Sequence, residues 1–139
     1  MSAKDLFHQA VKTALQKENW LITNDPLRLP FGLFNFYIDL GAEEMIAAEK
    51  EQRQIAIEIK SFTAASTINE FHTVLGQFLN YKLALKIQQP QRVLYLAVPV
   101  DIYESFFQID FTKEAVQYYQ LKIIVYDPQN EEILEWIEP

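Results

Sequence analysis

Two hydrophobic periods divide the chain. Near the N-terminus, Leu6, Ala10, Val11, Ala14 and Leu15 recur at spacings of three and four, the mark of an amphipathic helix. Ser2-Ala3-Lys4-Asp5 before them has the form of a capping box, so a helix is placed at 3 to 18. Asp5, His8 and Lys12 fall on its polar side, which is ordinarily a solvated face. Asn24-Asp25-Pro26 marks a turn, and Leu27 to Gly32 an irregular connection or edge segment. Period two then takes over. In "FNFYIDLG", Phe34, Phe36 and Ile38 alternate with Asn35, Tyr37 and Asp39, which predicts a strand near 34 to 40 with Asp39 close to its end.

The stretch "EMIAAEKEQRQIAIEIKSF" splits at the polar run from Glu49 to Gln54 into two apolar segments, near 44 to 49 and 54 to 61, most simply a hairpin pair. After "SFTAAS" the period becomes 3.6, and Phe71, Val74, Leu75, Phe78, Leu79 and Leu83 define one buried stripe of a long helix near 68 to 87. Gln77 and Tyr81, four apart, project from one side of that helix. Pro90 ends it, and "RVLYLAVPV" reads as a strand near 92 to 98 covered on both faces. One or two short helices between Ile102 and Gln120 precede "KIIVYD" and "EILEWIE", a hairpin turning at Pro128-Gln129-Asn130. The order αβββαβ followed by αββ predicts a single α/β domain over 1–139, with one mixed sheet flanked by the helices at 3 to 18 and 68 to 87.

Composition narrows the chemistry. With 50% hydrophobic residues the chain has ample material for a core, and neither a transmembrane run nor a signal peptide is visible, so a soluble cytoplasmic protein with no membrane partner is expected. Trp20 and Trp136 are expected in the core. There is no cysteine, which removes disulfides, thiolate zinc sites and cysteine nucleophiles. The three glycines, Gly32, Gly41 and Gly76, lie too far apart for a phosphate-cradling loop, and the two histidines, His8 and His72, form no zinc pair. Catalysis, if present, falls to carboxylates. A net charge of −7 with scattered cations argues against strong unaided binding to nucleic acid.

Those carboxylates have a place. In "IAIEIKSF", Ile55, Ile57 and Ile59 share one face of a strand, and Ala56, Glu58 and Lys60 share the other. Two opposite charges thus end a strand otherwise fit for a sheet interior, and Asp39 waits late in the strand system before it. Two acids from neighbouring strands suffice for a hard divalent cation, Mg2+ or Mn2+. A lysine beside them can orient an attacking water and offset charge on a phosphoryl oxygen. As a string Glu-x-Lys is weak, and its ordinary form is an exposed ion pair worth about 0 to 1 kcal/mol. Glu43 and Glu49 lie near the predicted hairpin, but such acids are more often surface residues.

The order of elements with Asp39 and Glu58-Ile59-Lys60 resembles the PD-(D/E)xK, or restriction-endonuclease-like, superfamily of metal-dependent nucleases. More closely, "AKDLFHQAVKTAL", "DPL", "YIDLGAE", "IAIEIKSF", "LGQFLNYK", "LYLAVP" and "EEILEWI" resemble the XisH family, cyanobacterial controlling factors for excision of the fdxN DNA element. The superfamily resemblance implies a metal held by Asp39, Glu58 and the backbone carbonyl of Ile59, with Lys60 beside it. It also matches Gln77 and Tyr81 to the Gln-x-x-x-Tyr of RecB-type nucleases. Ile38 stands where the superfamily name has proline, and Asp5 is the candidate acid on the first helix. The family resemblance implies DNA as target and, as partners, a site-specific recombinase and a companion excision controlling factor.

Two functions follow from these readings. The first is a magnesium-dependent phosphodiesterase site acting on DNA within an excision-control complex. The second is a non-catalytic accessory protein that keeps the nuclease fold and binds a partner protein or DNA. Clustering of Asp39, Glu58 and Lys60 in an open cleft favours the first; divergence or burial favours the second. The acidic monomer and the apolar C-terminal hairpin also lead us to expect a homodimer or heteromer.

Overall fold

The computed structural model describes residues 2–44 and 53–139. Its elements run α1 (Ala3–Lys17), β1 (Trp20–Asn24), β2 (Leu27–Phe31), β3 (Phe34–Ile38), β4 (Leu40–Glu44), β5 (Arg53–Ile59), α2 (Thr67–Gln88), β6 (Arg92–Pro99), α3 (Val100–Glu104), a 3-10 turn at Phe106–Gln108, α4 (Asp110–Tyr119), β7 (Ile123–Asp127) and β8 (Glu132–Ile137). Six strands form one mixed sheet in the order β1-β4-β5-β6-β7-β8, and β2-β3 stand apart as a two-stranded sheet. β5, β6 and β7 are mutually parallel, and the outer pairs are antiparallel. The parallel centre carries the most continuous apolar runs, as strands covered on both faces must.

The two faces bury different sets. Ala10, Val11 and Leu15 of α1 pack on Leu40, Ile55, Ile57, Tyr95, Ile124 and Tyr126. On the opposite face, Phe71, Val74 and Phe78 of α2 and Ala115 and Val116 of α4 cover Ala56, Leu94, Leu96, Ile123 and Val125. The β2–β3 hairpin joins that second layer through Leu27, Leu29 and Ile38. Ser2 and Asp5 cap α1 reciprocally, and Ser66 caps α2.

The helices near 3 to 18 and 68 to 87, the strands near 54 to 61 and 92 to 98 and the C-terminal hairpin stand where periodicity puts them. The segment 34 to 40 does not form one strand of the main sheet. It is β3, paired with β2, then Asp39, then the first residue of β4, paired with β5. Unbroken alternation through Asp39 hides a change of sheet. The Leu27 to Gly32 segment is a strand closed by a turn in which Gly32 takes φ 63°. β1 has no counterpart in the pattern, because five residues beside a helix end are too few to show a period. The expected strand at 44 to 49 lies almost wholly outside the described residues, and the hairpin partner of β5 is instead β4.

Trp20 is buried, and Trp136 is half-buried against it with ring centroids 5.8 Å apart. A further correction concerns α2: Leu79 and Leu83 are 38% and 57% exposed, while Ala84 and Leu85 are buried. Phe71, Val74, Phe78 and Leu85 keep to one buried face along the whole helix, and Leu79 and Leu83, roughly 100° or more around it, lie on the flank. Phe78→Ala should therefore cost about 3–5 kcal/mol, and Leu83→Ala on the same helix less than about 0.5 kcal/mol, both measured by urea unfolding.

Candidate functional site

The site is built where β4 begins. The last pair between β4 and β5 is Leu40 with Ile57, so the end of β5 runs beyond its neighbour. Backbone groups of successive strand residues point to alternate edges. The Lys60 N–H donates to Ala97 O of β6 at 3.1 Å, which turns the Ile59 N–H and carbonyl to the β4 side. There the Ile59 N–H donates to Asp39 Oδ2 at 2.8 Å, and the Asp39 N–H donates to Glu58 Oε1 at 3.2 Å. Each acid thus accepts a backbone bond from the other's segment. Lys60 Nζ lies 3.5 Å from Glu58 Oε2.

Glu58 points into the α2 layer and is only 6% exposed. Burial, then the charge of Asp39, pushes its carboxyl up to about 8, against the opposing pull of Lys60. Tyr81 is raised by burial and then by Glu58 and Asp39, which places its hydroxyl in the field of both acids. Its ring meets Phe36 of the hairpin edge-on at 5.7 Å. One turn earlier, Gln77 Oε1 is buried with no hydrogen-bond partner among the described residues. Gln77 and Tyr81 are therefore not on the outer side of α2.

Phe62 follows Lys60 closely and holds φ 55°, a conformation costly for a bulky residue. Its ring is buried against Phe106 and Phe107 at 6.2 and 5.6 Å, which fixes the chain as it leaves the lysine.

Two other sequence candidates have partners of their own. Asp5 is exposed and bonded to Ser2, so its carboxylate serves the helix cap. Glu43 accepts from Gln54 Nε2 at 3.1 Å, about 13 Å along β4 from Asp39. Glu49 lies outside the described residues. Among the described residues no three His, Asp or Glu side chains converge as a metal-binding group. Pattern reading did not single out the small cavity beside Asp39, lined by Lys4, Phe7, His8, Ile59 and Ser61. The polar spacing of α1 was the available signal. His8 and Lys12 also hold Asp25, at 2.7 and 2.8 Å.

The family described as XisH protein matches residues 1–134. The chain belongs to the XisH family. A crystal structure of an XisH family protein from Nostoc punctiforme is 50% identical with a TM-score of 0.88, covering 96% of this chain and 100% of that one. The structure of an fdxN element excision controlling factor protein from Anabaena variabilis is 48% identical with a TM-score of 0.86, covering 96% and 99%. No curated protein matches the chain. Among the described residues of this XisH-family protein, no helix is long and apolar enough to cross a membrane.

The raised Glu58 gives a pH signature. The folded state holds this proton more tightly than the unfolded chain, so its contribution to stability is fully present below about pH 4.5 and is lost as pH rises through about 8. Urea unfolding in chelator should show wild-type stability falling across that window. Glu58→Gln keeps an oxygen for the Asp39 N–H but cannot ionise, so its profile should be flatter; equal slopes would show that Glu58 does not titrate there.

Proposed function

We propose that this XisH-family protein takes part in excision of a DNA element and carries a restriction-endonuclease-like, PD-(D/E)xK-type phosphodiesterase site. The observation that carries this reading is the convergence of Asp39, Glu58, the Ile59 edge and Lys60 at one strand end. The mixed sheet between helical layers agrees with such a fold, and the Anabaena variabilis relative is named for control of fdxN element excision.

The donor chemistry fits a hard divalent cation: two carboxylates, plus a carbonyl at Ile59 on the same strand edge, are all oxygen ligands. Asp39, Glu58 and the Ile59 carbonyl would hold it. Magnesium bound there would supply Lewis acidity toward a phosphodiester oxygen. Lys60, with 25% side-chain exposure, can present its ammonium to a phosphate while remaining tied to Glu58. Tyr81, which lies in the field of the same acids, and Gln77 one turn before it would position the substrate. The −7 charge leaves DNA affinity to be supplemented by a companion controlling factor or the recombinase.

One observation favours a non-catalytic accessory role instead: both Glu58 oxygens already have partners, Asp39 N–H and Lys60. Purified protein, with and without its companion factor, should be incubated with linear, nicked and branched DNA in magnesium or manganese. Cleavage abolished by chelator and reduced about 10²–10³-fold in Lys60→Ala supports the catalytic site. Intact DNA under every condition, with metal binding unchanged in both acid variants, supports the accessory role.

Calorimetry should separate the residues further. Asp39→Asn and Glu58→Gln should each lose magnesium binding, whereas Lys60→Ala should retain it. Asp39→Ala carries a cost that charge repulsion alone does not suggest, because it strips the Ile59 N–H of its acceptor. We expect a loss of about 1–2 kcal/mol in the metal-free protein.

A further inference from the structure

At the opposite end of the parallel strands from Glu58 lies a second feature that the proposed chemistry does not use. An open groove of ≈ 450 Å³ runs between the C-terminal half of α2 and the first residues of β6. Its apolar rim is formed by Leu79, Leu83 and Val93, which are 38%, 57% and 37% exposed. Leu79 and Leu83 lie one turn apart, and Ile87, 63% exposed, continues their line one turn further. Single exposed leucines are ordinary, but a contiguous apolar line beside a groove marks a contact surface.

The charged residues that line the groove are all basic. Lys82, Lys86, Arg92 and Lys122 line it, four of the twelve lysines and arginines of a chain whose net charge is −7. Arg92 is used internally, donating to Ile55 O at 2.8 Å and Gln89 Oε1 at 2.7 Å. Lys122 pairs with Glu138 at 3.2 Å. Among the described residues Lys82 and Lys86 pair with no acid.

We propose that this groove docks an acidic amphipathic helix of a partner protein, its apolar side chains seated along Leu79, Leu83 and Val93 and its carboxylates facing Lys82 and Lys86. Helix-in-groove recognition uses anchors at spacings of three and four, which the line on α2 matches. A second copy fits worse. A twofold arrangement would set the lysines of one α2 against those of the other, and a head-to-tail contact closes only if its rotation allows it. A nucleic acid would meet the cations, but the leucines and Val93 offer no aromatic surface for stacking bases.

The test uses the full chain and two lactam-bridged helical peptides with the same leucine line, one flanked by glutamates and the other by lysines. Calorimetry and amide chemical-shift mapping should show saturable binding of the glutamate peptide, with shifts at Leu79, Leu83 and Val93. The double substitution Lys82→Glu, Lys86→Glu should weaken it by more than about tenfold and admit the lysine peptide. Leu83→Ser should weaken both pairings with the fold intact by circular dichroism. Metal binding should not change in any of these variants, so the outcome is separate from that of the proposed phosphodiesterase site. No binding, equal binding of both peptides, or shifts confined to other surfaces would overturn the proposal. So would self-association in sedimentation that the double substitution abolishes, or an oligothymidylate competing at the same amides.

Discussion

The reciprocal bond between Asp39 and the end of β5 is the constraint on which this end of the molecule depends. Asp39 is the residue at which the chain leaves the β2–β3 hairpin and enters the main sheet, and no strand neighbour remains to accept the Ile59 N–H. The Asp39 carboxylate substitutes for that missing neighbour. In turn the buried Glu58 accepts the N–H that β4 cannot pair. Two carboxyl groups are thereby held together by the backbone bonds each satisfies, burial and the charge of Asp39 favouring the protonated form of Glu58 and Lys60 opposing that shift. Structure and chemistry are joined at this point: the bonds that close the sheet edge are made by the same oxygens that could hold a cation.

The layering follows from alternation in β5. Ile55 and Ile57 commit one face to α1, so Glu58 is forced under α2 together with Ala56. The small Ala56 leaves room for Phe71, Val74 and Phe78 to approach, while Tyr81 extends from the next turn toward the carboxylates. Gly41 makes a comparable concession on β4. A side chain there would meet Asn24 Oδ1 at 2.7 Å and Arg92 Nη1 at 3.1 Å, displacing the guanidinium that reaches Ile55 O. The strand that carries the acid is thus supported along its length by residues chosen for fit.

Much of this was legible as pattern. Period 3.6 located α1 and α2, and the Glu58–Lys60 contact at 3.5 Å agrees with the shared face that alternation in "IAIEIKSF" gives them. The hairpin β2–β3 and its separation from β4 were not legible, because alternation reports which face a residue takes and is silent about the partner strand. The exposure of Leu79 and Leu83 was hidden for a related reason: a wide apolar arc does not show where around the helix burial stops. The capping box that starts α1 engages the Asp5 carboxylate, a use the Ser2-Ala3-Lys4-Asp5 motif already displays.

Several local rules are broken together around Glu58, and that grouping carries information. A glutamate sits buried beside an aspartate, the Gln77 oxygen lacks a partner among the described residues, and Phe62 holds a positive φ two residues after Lys60. Each costs stability on its own. The Tyr126 hydroxyl, also unpartnered, lies two strands away in the α1 layer. A sequence shaped for stability alone could place an apolar residue at 58, since the surrounding layers are otherwise well packed. Violations gathered at one strand end are the form that a functional site takes when its needs compete with those of the fold. The cation-lined groove breaks a different rule, leaving apolar surface open on the flank of α2, and it does so at the opposite end of the same strands. The parallel core therefore separates two demands, a crowded carboxylate end suited to chemistry and an open basic end suited to contact, so that substitutions at one can be read without disturbing the other.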